Sequence, residues 1–528
     1  MAEILSEQPN GIVLKNPTGE TNTYGDYKKI KLTKANGEKY IYSEGEAISK
    51  TVEELDFSKG NMEVPISDRE LISELTICRP SSLIPENIAK DIEIAGIVGT
   101  HDGESGSKSS ETVNFYDYDG TLIASYSVEN ISTLTALPNV PEHDGLIFNR
   151  WNYTLESIQN ATSQLNVGAV YDTEDGKTRL YIDNRWSKST AITLFYTQTV
   201  SGGVSIDWGD GYVGTASGTG DVSATHTYSA IGAYCITIEV DDGCVLGLGQ
   251  GTRTTRLLYS NTYDLQYAFI GKGVVLNNYA LEYNYAMRHV VLPSDLTSVG
   301  NYTFTNCQGL EIAIVPNGVS IIQKNFAYQC TSLQVVSIPT SVSVFDEKAF
   351  YSCYSLKRIN IPYGVVSIGT YVFYSCYGLK NMWIPSTVGL IGSYAFSSDY
   401  GLENVVIEDD SVMTISTSAF ASCRNLKSIK LPKNITEIST NLFQNCSSLK
   451  SIEIPEGVTT ISGNSFASCC GLNQIILPST LTSTNTSTFS YCYGLRIYAP
   501  DNKVETYKTL MSNYANIIFP KSEMPTNN

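Results

Sequence analysis

Histidine is scarce in this 528-residue chain: His101, His143, His226 and His289 are all it has. That leaves little room for a His-based catalytic site or a His-rich metal centre. Charge is also sparse. Asp, Glu, Lys and Arg make up 17% of the residues, and the balance is acidic, with a formal net charge of −18. Binding nucleic acid needs clustered Lys and Arg, so the composition argues against that class. No run of about 18 apolar residues occurs, and no membrane-inserted helix is expected. The opening "MAEILSEQPNGIVLKNPTGE" has no basic stretch followed by an apolar run, so no secretory signal is expected. A lipidation box and a C-terminal sorting signal are missing as well. So are the Gly-x-Ser-x-Gly, H-E-x-x-H and P-loop patterns, and no carboxylate pair or nucleophile with its base stands out. The expectation is a protein that is not an enzyme, with no catalytic residue, no metal and no cofactor.

What the chain does have is tyrosine, 35 residues of it, and a repeat. Residues 418–440 read "SAFASCRNLKSIKLPKNITEIST" and residues 441–463 read "NLFQNCSSLKSIEIPEGVTTISG". Aligned on phenylalanine, the units start at Phe304, Phe326, Phe350, Phe373, Phe396, Phe420, Phe443, Phe466 and Phe489, with steps of 22, 24, 23, 23, 24, 23, 23 and 23. Leu258 and Leu281 hold the same register upstream. Pro293, Pro316, Pro339, Pro362, Pro385, Pro432, Pro455 and Pro478 echo it, with Glu408 where one proline is missing. A unit this short cannot bury its own apolar face, so copies must stack into a solenoid. Leu426, Ile429 and Leu431 are expected to point inward and Lys430 outward, with Pro432 ending the strand.

Cysteine follows the same period: Cys307, Cys330, Cys353, Cys376, Cys423, Cys446, Cys469 and Cys492, with Asp399 in one vacant place. One cysteine per coil gives none of the C-x-x-C pairs of a zinc site. Stacking brings equivalent residues near bridging range, so disulfides are one reading. Small buried thiols packed in a row are the preferred one. Cys235 and Cys244 form a further candidate pair.

"AFASCRNLKSIKLPKNITEI" and its neighbours over 258–495 resemble BspA-type leucine-rich repeats. The resemblance implies a right-handed solenoid of the kind found in bacterial surface and host-associated proteins, where it serves adhesion or binding. The tail "IYAPDNKVETYKTLMSNYANIIFP" (497–519) resembles the C-terminal cap of such arrays, with Val504, Tyr507, Leu510 and Tyr514 on one helical face. Upstream, Trp208-Gly209-Asp210-Gly211 followed by His226-Thr227-Tyr228, Gly232 and Tyr234 resembles a polycystic-kidney-disease (PKD) domain, a small β-sandwich. Asp207, Asp210 and His226 there suggest a metal or acid–base cluster. An Asp-Gly hairpin turn with a packed His-Thr-Tyr beside it is the preferred reading. "VNFYDYDGTLIASYSV", with its turn at Asp119-Gly120, and Trp151-Asn152 further on resemble the short β-grasp-like repeats of Gram-positive surface proteins. "SLIPENIAKDIEIAGIVGT" resembles a segment of phage and prophage tail appendages, where a short helix leads into a strand. "YKKIKLTKANGEKYIYSEG" reads as a hairpin about Asn36-Gly37.

The fold expected is therefore mainly β and multidomain. Attachment-type β modules occupy 1–102, a Gly/Ser linker 103–110, a β-grasp-like module 111–165 and a PKD-like β-sandwich 166–246. A right-handed leucine-rich-repeat solenoid of about ten 23-residue coils follows over 247–495, and a cap and tail over 496–528. The resemblances point first to a non-enzymatic receptor-binding protein of a virion tail, attached to other tail proteins through its N-terminal region. The alternative is a BspA-like adhesin on a bacterial cell surface. A carbohydrate-active enzyme ranks third. In each binding case the partner is a cell-surface protein or glycan, and a homo-oligomer is left open. The candidate binding face comes from the tyrosines flanking the cysteine. With each Phe or its equivalent as position 1, Tyr285, Tyr354, Tyr377, Tyr400 and Tyr493 hold position 5, and Tyr283, Tyr328, Tyr351, Tyr374 and Tyr491 hold positions 2 and 3. On successive rungs Tyr354, Tyr377 and Tyr400 are expected to stack about 5 Å apart. Trp383, outward between Met382 and Ile384, is expected to extend the patch formed with Tyr351 and Tyr374. A structural row that shields the turn is the competing reading.

Overall fold

Each 23-residue unit forms one coil. It carries one short strand just before its proline and another a few residues after it, as in Ser451–Glu453 and Thr460–Ile461. Strands at equivalent places pair in parallel: Ile452 with Ile475 and Ile475 with Ile497, Ile461 with Thr484. The computed structural model describes residues 111–408 and 414–525, together with the backbone of nine strands within 3–98. In it about 11 turns of ~23 residues stack into a β-solenoid with few helices. Leu426, Ile429 and Leu431 are buried and Lys430 is exposed, as the alternation requires.

Two left-handed backbone positions per coil make the turn at the phenylalanine. In one coil they are Lys348 (φ 58°) and Ser352 (φ 56°), in the next Tyr371 and Ser375, both at 59°. Each non-glycine residue in this region costs about 1–2 kcal/mol. The return is a run of stack-wise hydrogen bonds. Lys348, Phe350 and Ser352 donate their N–H groups to the carbonyls of Thr370, Val372 and Tyr374 in the following coil, at 2.9, 2.9 and 2.8 Å.

This pattern corrects the alignment in one coil. Ala327, not Phe326, is equivalent to Phe304 and Phe350: the Ala327 N–H donates to the Ala349 carbonyl, as the Phe350 N–H donates to that of Val372. Phe326 fills the core from the preceding position, and the irregular steps of 22 and 24 become 23 and 23. The phenylalanine row runs through the interior, with Phe350–Phe373, Phe373–Phe396 and Phe396–Phe420 centroids 5.7, 5.2 and 5.3 Å apart.

Both ends of the stack are closed. At the C-terminal end, helix Val504–Leu510 buries Tyr507, whose hydroxyl donates to the Pro478 carbonyl, and strand Ile518–Pro520 pairs with Arg496–Ala499. At the other end a two-sheet sandwich is continuous with the first coils. Strand Thr178–Asp183 pairs antiparallel with Leu265–Phe269, which pairs in parallel with His289–Val291. In the second sheet Ala191–Gln198 pairs with Leu246–Leu248, which pairs in parallel with Val275–Leu276. One apolar core runs from Leu180 to Ile518. The sandwich therefore removes the edge that the first coil would otherwise expose.

The module that begins at residue 111 is a four-stranded sheet ordered Leu122–Ser127, Thr112–Tyr116, Leu165–Thr173, Leu146–Trp151. Its first hairpin turns at Asp119-Gly120 as expected. The boundary placed at 165/166 falls at the start of Leu165–Thr173, a strand flanked on both sides by strands of this module, so that strand goes with the module and not with the sandwich. The module lies on the strand face of the early coils. Tyr116 and Val170 share a cluster with Ile312 and Ile314, and a Cβ added to Gly168 would sit 2.5 Å from Ile314. The Asn152 amide donates to the Val315 carbonyl and the Ser337 hydroxyl, and the Tyr153 hydroxyl donates to the Ile338 carbonyl.

The chain divides into two compact units, Met1–Ser109 and Ser110–Asn528. The first contains an antiparallel three-stranded sheet, Glu3–Gln8, Gly11–Lys15 and Thr21–Tyr24, and a four-stranded one in which Lys29–Lys34 pairs with Lys39–Ser43, the hairpin expected about Asn36-Gly37. "IEIAGIVGT" is not one strand: Glu93–Ile94 folds back antiparallel on Ile97–Val98. The helix expected before it and the 103–110 linker lie outside the described residues. No helix among the described residues is long and apolar enough to cross a membrane.

Candidate functional site

The repeat cysteines are free and form an internal row. Each thiol donates to a carbonyl of the preceding coil: Cys353 to Ala327, Cys376 to Phe350 and Cys446 to Phe420, at 3.1, 3.2 and 3.1 Å. Burial pushes these thiols well above their ordinary range, so they are neutral and unreactive. Asp399 fills the vacant place. It is fully buried, burial pushes its carboxyl well above the usual range, and Oδ1 accepts the Cys376 N–H while Oδ2 has no partner among the described residues. Cys235 and Cys244 are also free.

Outside this core the tyrosines form three rows along one edge of the coils. The first is Tyr354–Tyr377–Tyr400, with centroids 5.0 and 5.1 Å apart and ring planes within 3° and 4°. These rings are 41%, 40% and 37% exposed, and none of their hydroxyls bonds another described residue. Gly378 and Gly401 follow two of them. A Cβ on Gly401 would lie 1.9 Å from the Tyr377 carbonyl oxygen, so glycine is what lets the coils close up here. The second row is Tyr328–Tyr351–Tyr374, stacked at 4.8 Å in both steps. With the register set by Ala327, all three hold the same place in their coils. The third is Tyr371–Tyr394, at 4.7 Å, and Tyr371 touches both Tyr351 and Tyr374 edge-on.

Tyr371 and Tyr394 occupy left-handed backbone positions, with φ of 59° and 58°. Asn325, Ser418, Asn441 and Asn464 hold the equivalent place in other coils, and short polar side chains tolerate it better. Tyrosine nonetheless holds this place in four coils, at Tyr279, Tyr302, Tyr371 and Tyr394.

Trp383 is half-buried and outward, between buried Met382 and Ile384, but the structure does not bring it into ring contact with these rows. Its ring packs edge-on against Tyr363 at 5.1 Å, and the Tyr363 hydroxyl donates to Glu408. Sequence reasoning missed two cations. Arg424 takes the place of Tyr400 in the next coil and lays its guanidinium over that ring at 4.9 Å; the Lys348 ammonium lies 5.5 Å from the centre of Tyr371. Both stand at ladder positions and are visible once the columns are read for all residue types.

Two other polar groups come together outside the coils' edge. Asp210 and His226 come together at 2.7 Å, with the imidazole stacked between Trp208 and Tyr212, while Asp207 accepts the Gly209 N–H of its own turn. Near the first coils, Arg253 pairs with buried Glu282 at 3.1 Å, and burial pushes that carboxyl up to about 7 despite Arg253 and Arg256. No group of three or more His, Cys, Asp or Glu able to hold a metal ion occurs among the described residues.

The stacked coils with a parallel strand before each proline define a leucine-rich-repeat solenoid. Residues 274–403 and 389–517 match the family model of the BspA type leucine rich repeat region, present in six copies. Similar crystal structures include a leucine rich cell surface protein from Faecalibacterium prausnitzii. It is 25% identical, with 52% of this chain and 87% of that one covered and a TM-score of 0.33. A leucine-rich repeat protein from Bacteroides ovatus is 22% identical, with 56% and 89% covered and a TM-score of 0.33. No curated protein matches the chain.

Proposed function

We propose that this protein is a non-enzymatic adhesion protein of a bacterial cell surface that holds a surface partner through the tyrosine edge of its repeat array. The observation that carries the reading is the Tyr354–Tyr377–Tyr400 row: three large, parallel, part-exposed rings whose hydroxyls have no partner among the described residues. Tyrosine gives broad amphipathic contact at low side-chain entropy cost, which is why it concentrates in binding patches. The family matched by 274–517 favours the cell surface over a virion tail, a reading to which neither the family nor the similar structures lend support.

The test is the triple change of Tyr354, Tyr377 and Tyr400 to Ser. Folding is checked first by circular dichroism and melting. Flow cytometry then compares the variant with wild type on bacterial and epithelial cells that the wild type labels. The expected result is a folded protein with labelling lost. Labelling equal to wild type removes this edge as the binding site.

A further inference from the structure

The stacking of the tyrosines also constrains what they meet. A sugar held by an aromatic residue lies flat on a ring face. In this row all ring faces but one are taken. Parallel rings 5.0 and 5.1 Å apart leave no space between them, the outer face of Tyr400 carries the Arg424 guanidinium, and only the outer face of Tyr354 has no ring or cation on it among the described residues. Tyr371 is covered by Tyr394 and by the Lys348 ammonium. What the edge offers to solvent is ring edges, which are the positive part of the aromatic quadrupole, and phenol O–H groups. Both favour acceptors: carboxylates and backbone carbonyls.

The ion pairing around the row points the same way. Lys427 is paired with Glu403, and Lys324 and Lys348 share Glu347. Arg424 is exposed and has no carboxylate partner among the described residues, in a chain with a net charge of −18. From Tyr354 to Arg424 the row spans three rungs, about 15 Å, the length of about four or five residues of extended chain.

We infer that the partner of this edge is a protein segment bearing a carboxylate, which lies along the Tyr354–Tyr377–Tyr400 row with its acidic group on Arg424, and that it is not a glycan. The inference rests on the reading of the row as a binding face. Bound this way, the segment's carbonyls accept from the phenols and its carboxylate accepts from the guanidinium, whose planar donors suit it.

The 528-residue chain is tested on two arrays: short peptides in matched pairs, one with Glu or Asp and the other with Gln or Asn, and a set of bacterial and mammalian glycans. The expected result is retention of acidic peptides and weaker retention of their amide pairs. Arg424→Gln lowers acidic-peptide binding about tenfold or more, and Arg424→Lys recovers part of it. Absence of acidic-peptide binding overturns the inference, as does an unchanged affinity in Arg424→Gln. The triple Tyr→Ser variant separates the two claims. Glycan binding that this variant loses leaves the tyrosine edge standing and removes the protein partner. Acidic-peptide binding that this variant keeps removes the edge itself.

Discussion

The interior and the edge of the same coils are both rows of one residue type repeated about every 5 Å, yet they stand in opposite relations to their surroundings. Inside, each cysteine donates to a carbonyl of the preceding coil, and each phenylalanine is enclosed by its neighbours. At the edge, one residue on from Cys353, Cys376 and Asp399, the Tyr354, Tyr377 and Tyr400 rings touch each other and Arg424, while their hydroxyls bond no other described residue. A coil period turns any recurring residue into a row, so regularity alone says nothing about purpose. Partners do. The interior row is satisfied within the molecule, and the edge row is not.

The largest expected contrast is a deletion inside. Phe373 is fully buried between Phe350 and Phe396. Phe373→Ala should cost about 3–5 kcal/mol through the cavity it leaves, read by chemical denaturation. A loss under about 1 kcal/mol would mean the row is not the core of the stack.

That core was legible in the sequence because one residue per coil at a fixed offset must return to the same place in space. The slip at Phe326 arose because two apolar neighbours, Phe326 and Ala327, both suit the place. The cysteines carried the correct register, since Cys307, Cys330, Cys353 and Cys376 step by 23 throughout. The stacking of Tyr354, Tyr377 and Tyr400 was legible for the same reason. Arg424 escaped because only tyrosines were traced down the column, and Trp383 was placed by strand alternation, which gives the face but not the neighbour. The module on the early coils was the least legible. Outward strand positions there include apolar Val291 and Ile314, where later coils carry Lys430 and Glu453, and Ile312 and Val335, where later coils carry Ser428 and Ser451. That shift marks a covered face. Which segment covers it is a long-range contact that no local pattern encodes.

The one break in the interior row gives the next contrast, of intermediate size. Asp399 sits between Cys376 and Cys423, buried, with Oδ2 unpaired among the described residues. Asp399→Cys should restore the thiol row and raise stability by about 1–3 kcal/mol near pH 7, the usual cost of an unpaired buried acceptor. The sign with pH follows from the raised carboxyl. The folded protein holds a proton that the unfolded chain releases above about pH 4. The contribution of Asp399 is thus full below the unfolded value and lost as pH rises through the folded one. The advantage of the cysteine variant should shrink below about pH 4, to the part that the unpaired Oδ2 contributes by itself. A gain of equal size at pH 3 and pH 7, measured by denaturation, would show that the carboxyl's proton plays no part.

The smallest expected effect lies at the edge and bears most on function. Tyr377 is in the same coil as Phe373, four residues on, and stacks between Tyr354 and Tyr400. If the row serves to shield the turn, Tyr377→Ser should approach the cost of Phe373→Ala, because two ring contacts and their enclosed surface are lost together. If it is a binding face, the ring's exposed part contributes little, and the remaining stacking, shared with flexible neighbours, is worth about 1 kcal/mol or less. The two substitutions compared in one denaturant series therefore weigh the structural reading against the functional one without any knowledge of the ligand. A small loss for Tyr377→Ser beside a large one for Phe373→Ala leaves a row of rings that the fold does not need. A loss of about 3 kcal/mol in both would place the tyrosines with the cysteines, as part of what holds the coils together.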